Sequence, residues 1–191
     1  MKKIGILGGT FNPPHMGHLL IANEAKHALH LDEVHFMPAA QSPFKNKNQQ
    51  VTDNHRLEMV RLLSAYLPDS NVETIELERG GLSYTFDTLK QLTEMNPTTE
   101  YSFIIGADQA EKLADWYCID ELVHLVNVVV VPRPGYTVST PYKVTTLSIP
   151  QLEVSSTELR KRLAQGETTR FLLPEDIARY CERNDLYVDE R

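Results

Sequence analysis

Short runs of β-branched and aliphatic residues alternate with helical patterns along most of the chain, and that alternation restricts the fold more than any other feature. The strand-like runs are Lys3–Leu7, Glu33–Met37, Asn71–Glu76, Tyr101–Ile105 and Asn127–Val131, with a weaker one at Lys143–Ile149. Helical spacing marks Gly17–Leu29, Asp53–Tyr66, Tyr84–Glu94 and Ile119–Leu125 between them. In the first helix Leu19, Ala22, Ala25, Ala28 and Leu29 share one face. Repeated β–α alternation predicts an α/β fold, a Rossmann-like doubly wound parallel sheet with helices on both faces and a ligand crevice at the carboxyl ends of its strands. The tail breaks the pattern: Ser156–Gln165 and Pro174–Arg183 read as two helices with no strand between them. Ser155 or Ser156 serves as an N-cap, Gly166 as a stop and Pro174 as a first-turn residue. The expectation is one domain over residues 1–191, an α/β body to about residue 150 and a small helical cap from about residue 151.

Composition narrows the function classes. A chain of 191 residues, 41% hydrophobic and 24% charged, is long enough for a sizeable core. It has no apolar run near the roughly 18 residues of a membrane helix. The apolar stretch after Lys2 and Lys3 is short and broken by glycine, so it reads as a first strand and not as a secretory leader. Cys118 and Cys181 form no CxxC, which points away from zinc and toward a reducing cytoplasm. A net charge of −7 argues against broad nucleic-acid binding, so an anionic ligand must be held by a local site.

The local site is announced by GGTFNPPHMGH, residues 8–18, directly after the first strand. Gly8 and Gly9 suit a tight turn and a close approach of main-chain N–H groups to phosphate. Neither GxGxxG nor GxxxxGK[ST] is present, which disfavours a dinucleotide oxidoreductase and a P-loop ATPase. His15 and His18, three apart at a helix start, are placed to face one ligand where the helix dipole favours anions. Imidazoles donate to phosphate oxygens and become cationic when anions raise their pKa. Capping or core histidines and a metal pair are the competing readings; the metal pair lacks an obvious third ligand. A second candidate is Ser155-Ser156-Thr157-Glu158-Leu159-Arg160, which puts small hydroxyls at a helix start and a guanidinium one turn later. A Ser-capped helix with a solvent arginine is its plainer reading.

The first string resembles the nucleotidyltransferase superfamily, whose (H/T)xGH motif at this junction binds ATP phosphates, and HMGH is also similar to the HIGH motif of class I aminoacyl-tRNA synthetases. SSTELR resembles the ISSTxxR signature of small adenylyltransferases, with Val154 in place of isoleucine. No KMSKS-like lysine loop or anticodon-binding domain appears. Taken with SPFK, GGLSYTFDT, FIIGADQ, KLADWY and VVVPRPGY, the chain resembles the bacterial nicotinate-mononucleotide adenylyltransferases. Pantetheine-phosphate adenylyltransferase is the nearest alternative; it usually has threonine at the position of His15 and lacks the WY and SYTFDT segments. A catalytically silent nucleotide sensor on the same fold is the alternative of a different class.

The resemblance implies transfer of AMP from ATP to nicotinate mononucleotide, with Mg²⁺ carried by ATP, in a cytoplasmic enzyme that is a possible homodimer. It implies a nucleotide site of Gly8, Gly9, Thr10, Phe11, His18, Gly106, Asp108, Ser155, Ser156 and Arg160, with His15, His18, Lys45 and Arg160 acting in catalysis. It also implies a substrate site of Thr85, Trp116, Tyr117, Lys45 and Arg133, in which Trp116 meets the pyridine ring and the Thr85 segment meets its carboxylate. Independently of the resemblance, the Trp116-Tyr117 pair offers flat faces for stacking, with core packing as the plainer reading. Helix capping is the plainer reading for Thr85 and Asp108, and solvation for a lysine such as Lys45 in the Pro/Asn/Gln-rich residues 38–50.

Overall fold

The computed structural model describes residues 1–41, 51–132 and 140–188. Within them, β1 (Lys2–Gly9), β2 (Glu33–Pro38), β3 (Ser70–Val72), β4 (Thr99–Gly106), β5 (Asn127–Val131) and β6 (Thr145–Thr146) form one sheet in the order β3-β2-β1-β4-β5-β6. Every pairing is parallel, with Ile4 opposite Glu33 on one side of β1 and Tyr101 on the other. The chain winds outward from β1 through β2 and β3, then crosses back to β4. The direction reverses between β1 and β4, so the crevice belongs at the Gly9 and Gly106 ends of those strands.

Helices cover both faces, as the alternation predicts. Residues pointing one way from the strands, Leu7, Phe36, Ile104 and Val129, meet α1 (Met16–Ala28) and α2 (Asp53–Ser64) in one core. Their neighbours pointing the other way, Ile6, Phe103, Ile105 and Val130, meet α4 (Thr85–Met95) and α6 (Ile119–Leu125) in the second. Strands buried on both faces have no polar alternation, which is why they read as continuous apolar runs. Among the described residues no helix is long and apolar enough to cross a membrane.

Two expectations need correction. The run Asn71–Glu76 pairs only as far as Val72; Glu73 Oε1 accepts from the Ile75 N–H at 3.1 Å, and α3 (Ile75–Arg79) begins where the strand was expected to continue. A local acceptor there satisfies an N–H that would otherwise need a sheet partner. The run Lys143–Ile149 keeps only Thr145 and Thr146 in the sheet, beside Val129 and Val130. The tail helices α7 (Ser156–Gln165) and α8 (Glu175–Arg183) pack on the α/β body and bury Leu159 and Ile177 completely in the α1/α2 core. The short α5 (Ala107–Ala110) and a 3-10 turn at Leu113–Asp115 carry no periodic signal in the sequence.

At the opposite end of the strands from the crevice, Glu33 ties three strands together. One oxygen meets Lys2 Nζ at 2.6 Å; the other meets His35 Nε2 at 2.9 Å and accepts from Asn71 Nδ2 at 3.2 Å. The hydrogen bond from His35, then that from Lys2, holds the Glu33 carboxyl down at about 2 against an ordinary 4.5. A depressed carboxyl stabilises the fold above its unfolded pKa and ceases to do so as pH falls through its folded one. The urea midpoint of the wild-type protein should therefore fall between about pH 4.5 and 2 more steeply than that of Glu33→Gln, and parallel curves would remove Glu33 from acid stability.

Candidate active site

The connection from β1 to α1 differs from its expected form. Gly8 and Gly9 stay in the strand, opposite Met37 and Pro38, and Phe11 takes the left-handed conformation at φ 51°. What the glycines supply is space: a Cβ on Gly9 would lie 3.1 Å from the Phe11 ring, and one on Gly8 equally close to Phe103. The Phe11 ring folds back over β1, is almost fully buried, and lies 4.8 Å from the His18 ring.

Beyond Phe11 the chain runs through Asn12-Pro13-Pro14, where the prolines have no N–H to give and the carbonyls still need donors. The donors come from elsewhere in the sequence. Arg56 Nη1 donates to Thr10 O at 2.8 Å, Arg160 Nη1 to Asn12 O at 3.0 Å, and Ser156 Oγ to Pro13 O at 2.8 Å. At the start of α1, Met16 N donates to Leu172 O at 3.0 Å.

His15 occupies the N-cap of α1, and its own N–H donates to His18 Nδ1 at 3.1 Å. The two rings lie 3.8 Å apart, centroid to centroid, at 33°. An Nδ1 that accepts carries no proton, so the neutral His18 ring has its N–H at Nε2. In this arrangement the proton that His18 can offer a ligand is the one on Nε2. Gly17 keeps this pair seated, since a Cβ there would lie 2.9 Å from Val154 Cγ1 and 3.0 Å from His15 Nδ1.

The strand ends and the starts of α1 and α7 enclose a cleft of about 510 Å³. It is lined by the expected Gly8, Gly9, Thr10, Phe11, His15 and His18 from the first string. Gly106 and Asp108 after β4, and Ser155, Ser156 and Arg160 at α7, complete the expected set. Asp108 is exposed one residue inside α5, whose N-cap is Gly106, so the capping reading of Asp108 does not hold. Ser155 Oγ caps α7 by accepting from Glu158 N at 3.2 Å. A second pocket of about 360 Å³ shares His15, His18, Gly106 and Ser155 with the cleft and is walled by Ile21 and residues 149–153.

Thr85, Trp116 and Tyr117 are not in the lining of that cleft. They sit together on the α4 side: Tyr117 is half exposed, 5.2 Å from the Tyr84 ring, and Thr85 is the first residue of α4. Trp116 packs edge-on to Phe103 at 6.0 Å, the same ring that crowds Gly8. The cleft wall is fastened to this group, because Ser83 Oγ accepts from Ala40 N at 3.0 Å and Ser83 N donates to Gln41 O at 2.9 Å. Beneath Ser83, Glu76 is buried and accepts from Thr88 Oγ1 at 2.9 Å; burial pushes its carboxyl above the usual range. Lys45 and Arg133 lie outside the described residues.

Sequence reasoning overlooked Arg56, which is buried in the cleft wall and also donates to Ala39 O at 2.6 Å and Asp53 Oδ1 at 2.8 Å. It thereby joins the ends of β1 and β2. Its signal was present: Arg56 stands in the apolar series Met59, Val60 and Leu63 of α2, an arginine on the face turned to the core. Residues 149–153 have no such signature.

A parallel sheet whose switch-point crevice gathers two helix starts, one bearing histidines and the other hydroxyls and an arginine, defines a nucleotide-handling α/β protein. Residues 6–162 match the model of the cytidylyltransferase-like family. A probable nicotinate-nucleotide adenylyltransferase of Geobacillus thermodenitrificans is 49% identical over 187 residues, 98% of this chain and 87% of that protein. One from Bacillus cytotoxicus is 50% identical over 187 residues, 98% of this chain and 99% of that protein. The chain belongs to the nicotinate-nucleotide adenylyltransferase family. In fold it is similar to a Plasmodium falciparum nicotinic acid mononucleotide adenylyltransferase complexed with NaAD, with a TM-score of 0.82 at 20% identity, covering 98% of each chain.

The crowding at Gly17 gives a test of the site's assembly. In Gly17→Ala the gain in helix propensity offsets part of the overpacking, so the fold should persist. The His15–His18 pair or Val154 must move by a fraction of an ångström, and kcat/KM should fall by up to about 10²-fold. Normal turnover in a folded Gly17→Ala protein would show that this contact does not seat the histidines.

Proposed function

We propose that the protein transfers the AMP moiety of ATP to nicotinate mononucleotide, giving nicotinate adenine dinucleotide and pyrophosphate. The observation that carries the reading is the convergence of HMGH and SSTELR on one cleft at the β1/β4 switch point, in a chain of this family. An oxygen of the acceptor's 5′-phosphate attacks the α-phosphorus as the bond to the bridging oxygen of pyrophosphate breaks. The nucleophile is already anionic at neutral pH, so no side chain need activate it; alignment and charge stabilisation suffice. The His18 Nε2–H is the fixed donor to the α-phosphate or the leaving group, and the first turn of α7 receives the outer phosphates beside Arg160. Ser156 spends its hydroxyl proton on Pro13 O, so its backbone N–H is the group it offers.

Mg²⁺ enters as a component of MgATP, where it neutralises charge on the leaving phosphates. Asp108 is the exposed carboxylate in the cleft wall that suits its water shell, whereas Asp53 is engaged by Arg56. The pocket beside residues 149–153 takes the adenosine end of ATP, and the Tyr84, Trp116, Tyr117 and Thr85 group takes the pyridine ring and its carboxylate. Lys45 and Arg133 belong to the same proposal as phosphate contacts. A cytoplasmic homodimer accompanies this reading; the two cysteines, both free, fit a reducing compartment.

Two measurements test the proposal. Pyrophosphate release with MgATP should be far faster with nicotinate mononucleotide than with nicotinamide mononucleotide or phosphopantetheine. Preference for phosphopantetheine would move the substrate assignment, and silence with all three acceptors would leave a nucleotide sensor. His18→Ala should lower kcat by about 10²–10³-fold, the usual cost of one preorganised donor, with folding intact. Near-normal turnover in that variant would exclude His18 from the chemistry.

A further inference from the structure

The chain beyond α8 turns sharply. Leu186 N donates back to Cys181 O at 2.9 Å, Asp185 stands at φ 50° and Tyr187 at φ 68°. Asp tolerates the left-handed region; a tyrosine there carries a backbone cost that its surroundings must offset. The surroundings are specific. Tyr187 is 4% exposed within the α1/α2 core, and its hydroxyl donates to Asn12 Oδ1 at 2.6 Å across 175 residues of sequence. Asn12 follows Phe11, the other strained residue of the site, and its carbonyl accepts from Arg160.

We propose that Tyr187 is a positioning residue for the adenylyl-transfer site, acting through Asn12. Its hydroxyl decides which end of the Asn12 amide faces the core, and the fixed amide holds the Asn12-Pro13-Pro14 segment between Phe11 and His15. Arg160 and His15 then keep their places on the same cleft. A buried Tyr–Asn hydrogen bond suits this task, because deleting either partner leaves the other's buried polar group short of one hydrogen bond. A tyrosine retained only for packing would need neither its hydroxyl at 2.6 Å from an amide nor a left-handed backbone to bring it there. The catalytic part of this inference rests on the AMP-transfer reading; the structural part does not.

Tyr187→Phe keeps the ring and deletes the hydroxyl, and Asn12→Ala deletes the acceptor from the other end. In Tyr187→Phe, amide hydrogen exchange in the peptide spanning residues 10–18 should quicken by about tenfold, the effect of one buried hydrogen bond, while the β4 and β5 peptides stay unchanged. kcat with MgATP and nicotinate mononucleotide should fall by a similar factor. Asn12→Ala should reproduce both changes, and the double variant should lose no more than Asn12→Ala alone, because the two residues form one contact. Unchanged exchange in residues 10–18 in either folded variant would overturn the proposal. So would losses that multiply in the double variant, since they would make the two residues independent. The exchange readout needs no substrate, so it decides the positioning role even if the acceptor is a different molecule.

Discussion

Everything at the crevice depends on supplying donors to a stretch of backbone that cannot supply its own. The carbonyls of Thr10, Asn12 and Pro13 lie beside or behind the cleft wall, and two adjacent prolines remove the N–H groups that a helix or strand would have used. Arg56 from α2 and Arg160 and Ser156 from α7 meet those three carbonyls. A buried carbonyl left without a donor costs on the order of 1–3 kcal/mol, so the loop is stable only when α2 and α7 are both in place. The loop thus depends on elements far along the chain, although it lies near the chain's beginning.

This arrangement explains why arginine stands at two of the three positions. A guanidinium has five N–H groups in a plane, enough to hold two elements at once, and it stays charged. Arg56 reaches Thr10 O, Ala39 O and Asp53 together, so the ends of β1 and β2 are set by one side chain. Arg160 reaches Asn12 O and Thr157 Oγ1 while lining the cleft, so it links the loop to the start of α7. A lysine, with a single flexible ammonium, does not reproduce either geometry.

The sheet, its two helical faces and most element boundaries were legible because each depends on local periodicity. The end of β3 was not, because Glu73 satisfies the Ile75 N–H through a side chain that the strand pattern ignores. The HMGH and SSTELR strings were legible as helix starts, and the cleft unites them. The roles within them were less so. Gly8 and Gly9 looked like the turn, whereas the turn falls on Phe11 and the glycines make room for Phe11 and Phe103. Whether a glycine is kept for its dihedral freedom or for its missing Cβ depends on a partner far away in sequence. Asn12, Arg56 and Tyr187 belong to the same class, since each matters through a bond that spans tens of residues or more.

The charge balance follows the same division between local and global. A chain with a net charge of −7 has no overall field to attract a polyanion such as ATP. Yet the cleft collects two arginines, two histidines and the N-terminal turns of α1 and α7 within about 510 Å³. Asp53 offsets Arg56, and Arg56 spends its donors on the backbone, so its charge serves the wall. The attraction available to phosphate comes from fixed, short-range groups: the helix starts, the Nε2–H that the His15 amide imposes on His18, and the guanidinium of Arg160. Such groups act within about a Debye length, roughly 8 Å at physiological ionic strength. Where these donors stand depends on how the backbone of the β1–α1 connection is held, which returns the argument to the carbonyls of Thr10, Asn12 and Pro13.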